Sequence, residues 1–192
     1  PKERLVALLQ RLLSETEFLS DGGIRALSKY HKEHPYSVNI EGTEYSIQYD
    51  PGDSTSDFFG GNSNWRGPVW MPMNYLIVLA LQRFGEYYKE TCMIDFPTSS
   101  GNKMMLHEIA NELAKRLLSI FEKDRSGKRR VNGTEDIYQA NEHFKDLILF
   151  FEYFYGDNSR GVGASHQTGW TGLIAKLLMP RREPKELDDT TF

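Results

Sequence analysis

Glu152 is the only ionisable acid in an otherwise apolar and aromatic run, with Leu147-Ile148-Leu149-Phe150-Phe151 before it and Tyr153-Phe154-Tyr155 after it. A carboxylate in such a wall is desolvated, and desolvation makes it a stronger base. Gly156, Gly161 and Gly163 then mark a loop that leads into Ser165-His166-Gln167-Thr168-Gly169-Trp170, groups that hydrogen-bond and stack. A second cluster lies upstream, where Asn62-Ser63-Asn64-Trp65-Arg66-Gly67-Pro68-Val69-Trp70 is followed by Asn74. Aromatic faces flanked by amides and a carboxylate suit a sugar ring, which offers apolar C–H faces and a rim of hydroxyls. Taken singly, each tryptophan fits core packing and His166 fits a structural histidine. Together, on glycine-marked loops, Trp65, Arg66, Trp70, Asn74, Glu152, His166, Gln167 and Trp170 favour a carbohydrate site.

The elements that must position these groups read as mainly α. Leu5, Leu8, Leu9, Leu12 and Leu13 repeat at helical spacing over 2–14. Gly22-Gly23 breaks that helix, and Tyr36 to Tyr49 alternates as an inserted β-hairpin would. Residues 50–63 form a long polar loop. After the Gly67-Pro68 corner, Leu76, Ile77, Ala80, Leu81, Phe84 and Tyr88 make the apolar stripe of a second helix. A third spans about 106–123, with Ile109, Leu113, Leu117 and Phe121 inward. The segment 141–155 is apolar almost all round and reads as an enclosed helix, ending at the glycine loop. A last helix runs from Thr168 to Met179 and stops at Pro180, leaving 181–192 as a polar tail after a domain over 1–180.

The 192 residues suffice for one domain with a core, and a net charge of −4 with interspersed signs gives no reason to expect nucleic acid or an anionic membrane as partner. No apolar run approaches the roughly 20 residues of a membrane span. Cys92 is the single cysteine, which excludes an internal disulfide and a thiolate metal site and fits a small apolar residue. No acidic cluster has calcium-loop spacing, so neither metal nor cofactor is expected. Lys128-Arg129-Arg130 reads as a solvated turn. Asn132-Gly133-Thr134 matches a glycosylation acceptor, which matters only in a secretory compartment. No signal peptide opens the sequence, which points to the cytoplasm. Pro1 lies directly inside a helical pattern, so the chain is expected to begin partway through a longer protein.

The order N-x-N-W-R-G-P-V-W-x-x-x-N-Y-L, then F-E-Y-F-Y-G-D, then G-A-S-H-Q-T-G-W-T-G-L resembles the C-terminal half of the glycoside hydrolase family 63 catalytic domain. It looks most like the bacterial branch that includes mannosylglycerate and glucosylglycerate hydrolases, with processing α-glucosidase I more distant. The resemblance runs over roughly 23–178, and Gly23-Ile24-Arg25-Ala26-Leu27-Ser28 looks like the family's substrate-side loop. It implies an (α/α)6 toroid and hydrolysis of an α-glycosidic bond with inversion, by an aspartic acid and a glutamic acid. The glutamate motif falls on Glu152, the implied general base. An inverting pair stands about 6.5–9.5 Å apart, to admit water. Gln167 would hold the sugar or the water, and Trp65 and Trp70 would line the glycone subsite.

The family's general acid lies well upstream of the tryptophan motif, where this chain is short. Asp21, Asp53 and Asp57 are the acids available, in cap and loop contexts. About six helices are legible, half a toroid. The expectation is therefore a fragment of an inverting glycosidase acting on α-glucosides or α-mannosides, with a small carbohydrate as substrate and the missing N-terminal half of the domain as partner. A cut ring would expose apolar helix faces. The alternatives are a carbohydrate-binding or regulatory module without catalysis, and a helical scaffold for protein partners.

Overall fold

The computed structural model describes residues 2–57 and 63–179. Pro1, the centre of the long loop with Asn62, the stop at Pro180 and the 181–192 tail lie outside the described residues.

Helix α1, Lys2–Leu12, leads into a short antiparallel pair, β1 (Leu19–Ser20) and β2 (Gly23–Ile24). The turn between them needs glycine at 23: its φ is +130°, and a Cβ there would lie 2.8 Å from Asn74 Oδ1. The expected hairpin follows as β3 (Tyr36–Ile40) and β4 (Thr43–Ile47), exposed along nearly all its length. Helix α2, Met71–Tyr88, carries Pro72 in its first turn, where a missing N–H costs nothing. The ribbon β5 (Met93–Asp95) with β6 (Lys103–Met105) precedes α3, Leu106–Ser119. The Glu108 carboxylate accepts from the Met105 N–H at 2.7 Å and so caps the start of α3.

Helices α2 and α3 pack at Gly85, where a Cβ would sit 2.7 Å from the His107 nitrogen, so only glycine allows this approach. Leu9, Leu13, Val69, Val78, Leu81, Ile109, Leu113, Leu117 and Phe154 meet in one core, with Cys92 buried beside them. The buried face of α2 is Met71, Asn74, Val78, Leu81 and Gly85. The stripe expected to face inward does so only in part. Leu76 is 57% exposed and Phe84 41%, and with Met73 and Tyr87 they form an outward apolar row. The helix is apolar on most sides, and the two small or polar residues on its true inner face hide that face from periodicity.

The enclosed helix expected over 141–155 does not form. A four-residue helix, α4, covers Asp136–Gln139, and Phe144, Leu147 and Ile148 stand partly in solvent. Tyr153–Phe154 is instead a strand, β7, paired antiparallel with β8, Gly161–Val162. The physical reason is long-range pairing. Phe154 exchanges both backbone hydrogen bonds with Val69 (2.8 and 2.9 Å), and the Phe150 carbonyl accepts from the Gln167 N–H at 2.6 Å. These bonds require an extended backbone and outweigh local helix preference. The last helix is likewise split into α5 (Thr168–Thr171) and α6 (Ile174–Leu178), and α3 ends at Ser119 rather than near 123. The chain is thus mainly helical with small antiparallel ribbons, as expected for the class.

No helix among the described residues is long and apolar enough to cross a membrane. Asn132 is buried, and its Nδ2 donates to the Tyr138 carbonyl at 2.9 Å, so its amide is not presented for glycosylation in this fold.

Candidate active site

Val69 joins the two loop corners. It bridges Arg25 on one edge and Phe154 on the other, which sets the tryptophan corner directly beside β7, the strand that Glu152 immediately precedes. The corner itself is rigid because Asn64, with no exposed surface, donates to the carbonyls of Asp50 and Gly52 and accepts from the Arg66 N–H. The Asn64 carbonyl in turn takes the Trp70 indole N–H at 2.9 Å.

Between these walls lies a hollow of about 280 Å³, lined by Ser63, Trp65, Trp70, Glu152, Gln167 and Trp170. That is just under the ~300–1,000 Å³ usual for small-molecule sites, and fits one small polar ligand. Glu152 is the one carboxylate on its wall among the described residues. It is half-buried, and no lysine or arginine among the described residues pairs with it. Its Oε1 accepts from the Ser63 hydroxyl at 2.8 Å and its Oε2 from the Ala164 N–H at 3.3 Å. The setting is therefore a mixed one, an aromatic wall with two donors, rather than the wholly apolar helix expected.

Aromatic rings form the rest of the wall. Trp65 stacks on Trp70, Tyr153 covers the opposite face of Trp70 at 4.7 Å, and Trp170 meets it edge-on at 6.2 Å. Trp70 lines the hollow but is only 2% exposed, while Trp65 and Trp170 keep accessible surface. Burial, with Asp53, Glu152 and Asp50 adding, pushes the Tyr153 phenol up to about 12, so it stays a neutral partner for the stack.

Arg66, Asn74 and His166 do not line this hollow. The Arg66 guanidinium, 7% exposed, turns to Asp50 Oδ2 at 3.2 Å. Asn74 spans the backbone of Ile24, accepting from its N–H at 2.7 Å and donating to its carbonyl at 2.9 Å. His166 is exposed, its Nε2 3.4 Å from the Thr168 hydroxyl. Of the candidate acids, Asp53 pairs with Arg160 at 3.3 Å, Asp21 lies 3.8 Å from Arg130, and Asp57 is exposed; none lines the hollow. Sequence reasoning missed Ser63 and Tyr153. Ser63 lies two residues before Trp65 and Tyr153 adjoins Glu152, and that nearness in sequence is the available signal. No group of three or more His, Cys, Asp or Glu side chains among the described residues could hold a metal ion.

This arrangement can hold a hydroxylated ring and take a proton from water at one carboxylate. Residues 2–171 match the family model for the mannosylglycerate hydrolase MGH1-like glycoside hydrolase domain, and the chain belongs to that family. The uncharacterized protein YMR196W of Saccharomyces cerevisiae is 51% identical over 179 residues, 92% of this chain and 16% of its own length. The mannosyl-oligosaccharide glucosidase of the same yeast is 27% identical over 123 residues, 64% of this chain and 12% of its own length. A Schizosaccharomyces pombe protein named "Probable mannosyl-oligosaccharide glucosidase" is 24% identical over 91% of this chain and 15% of its own length. The chain thus spans 16% or less of the length of these relatives. The family resemblance read from the ordered motifs is borne out.

Proposed function

We propose that this domain supplies the general base and part of the glycone subsite of an inverting α-glycosidase acting on α-glucosides or α-mannosides. The observation that carries the reading is Glu152: a carboxylate without a cation partner among the described residues, facing an aromatic-walled hollow beside Gln167. In the proposed reaction Glu152 takes a proton from a water molecule. The water oxygen then bonds to the anomeric carbon from the face opposite the aglycone, the glycosidic bond breaks, and a second carboxylic acid protonates the departing oxygen. Gln167 orients the water or a sugar hydroxyl, and Trp65 and Trp170 offer ring surface to the sugar's C–H face.

The second acid is not among the described residues on the hollow's wall. In this reading it comes from polypeptide outside this sequence, as does the rest of an (α/α)6 ring. Two observations support that: the chain is a small share of the relatives' length, and the outward row of Met73, Leu76, Phe84 and Tyr87 is what a neighbouring helix would cover. The same lone carboxylate favours one other reading, a module that binds carbohydrate without turnover.

Azide separates them. In the full-length protein, Glu152→Ala should lose hydrolysis of an aryl α-glycoside by several orders of magnitude. Added azide, which attacks the anomeric carbon without needing a base, should restore turnover and give the β-glycosyl azide. Sugar binding with no hydrolysis by the unsubstituted full-length protein would favour the binding module.

A further inference from the structure

We infer that Ser63 is a positioning residue that fixes the Glu152 carboxylate for catalysis. This rests on the proposed role of Glu152 as base. The Ser63 hydroxyl has one proton to donate and gives it to Glu152 Oε1 at 2.8 Å. Its backbone has little freedom on the following side, because Asn64 is wholly buried and held by Asp50, Gly52, Arg66 and Trp70.

The other carboxylate oxygen is restrained independently. Oε2 accepts from the Ala164 N–H, and the adjoining Gly163 stands at φ +75°, where a Cβ would lie 2.8 Å from Oε2. The two donors come from segments about a hundred residues apart in sequence, one from each loop corner. Together they fix the plane of the carboxylate. A base must meet its water within about 2.6–3.2 Å along a lone pair, so losing one restraint lets the carboxylate rotate away while the sugar still binds.

The test compares Ser63→Ala and Ser63→Thr in the full-length protein, with thermal melting as a control. For Ser63→Ala, kcat should fall about 10- to 100-fold with KM within about twofold, and Ser63→Thr, which keeps the hydroxyl, should recover most of the loss. A raised KM with unchanged kcat would make Ser63 a sugar contact and overturn the inference. A lost kcat that threonine does not restore, accompanied by a lower melting temperature, would reduce Ser63 to a structural role and also overturn it. Near-normal turnover in Glu152→Gln would remove the base assignment itself, and that result is read without reference to Ser63.

Discussion

Trp65 lies flat on Trp70, with ring centroids 3.8 Å apart and planes 4° from parallel. With Tyr153 on its far side, Trp70 is the middle ring of a three-ring stack and has no free face. The two indoles of the motif therefore have different duties. Trp70→Ala should cost about 3–5 kcal/mol of stability, as a cavity at a buried aromatic does, read by urea denaturation. Trp65→Ala should cost far less stability and weaken sugar affinity about three- to tenfold, read by calorimetry. Equal effects of the two substitutions on stability would contradict this division.

Asn74 was expected among the sugar contacts, and its amide instead closes both backbone bonds of Ile24. Asn74→Ala leaves a buried N–H and a buried carbonyl without these partners. The expected loss is about 2–4 kcal/mol in chemical denaturation. A change in sugar affinity at unaltered stability would return Asn74 to the subsite.

Asp157 ties the turn after β7 to the loop after β2. Its Oδ1 accepts from Arg25 Nη2 (3.0 Å) and the Tyr49 hydroxyl (2.9 Å), with Lys29 Nζ at 3.3 Å. Burial alone would raise the Asp157 carboxyl, but the hydrogen bonds from Tyr49 and Arg25 and the nearby charges outweigh it and hold it below the ordinary carboxylate range. A depressed folded value contributes stability above the unfolded carboxylate value of about 3.9, and the contribution is lost as pH falls through the folded value. Asp157→Asn should therefore be destabilised at neutral pH and show a shallower loss of stability below about pH 4. Identical acid unfolding curves for the two proteins would refute the linkage.

The outward row on α2 makes a prediction that differs in size between two contexts. In this chain alone, Leu76→Glu with Phe84→Lys should change stability by no more than about 0.5 kcal/mol and reduce self-association in sedimentation. In the full-length protein the same pair should destabilise by several times that amount, provided other polypeptide covers the row. A neutral result there would argue against a completed ring at this face.

The two long helices that build the core, the inserted hairpin and the meeting of Trp65, Trp70, Glu152, Gln167 and Trp170 are legible in the sequence. Leucine spacing in α3 and the Gly-Pro corner before α2 are local signals, and local signals survive in a single chain. The segment 141–155 reads as a helix because its apolar run satisfies helix and buried strand equally. What decided it was pairing with Val69, more than eighty residues away. The roles of Arg66 and Asn74 were hidden for the same reason: both are polar residues at a corner, and only the fold shows that Asp50 and the Ile24 backbone already occupy them. Ser63, an ordinary loop serine by composition, became visible only once the carboxylate it meets was in place.

Val69 has backbone partners on both of its edges, Arg25 before it and Phe154 after it in sequence. The indole corner and the strand that follows Glu152 are consequently stitched into a single plate, and neither can swing away without shearing main-chain bonds. For the proposed glycosidase this means that a sugar would enter and leave from the open side of the plate, and that substitutions at Val69 should alter the gap between base and sugar rather than the speed of any gate.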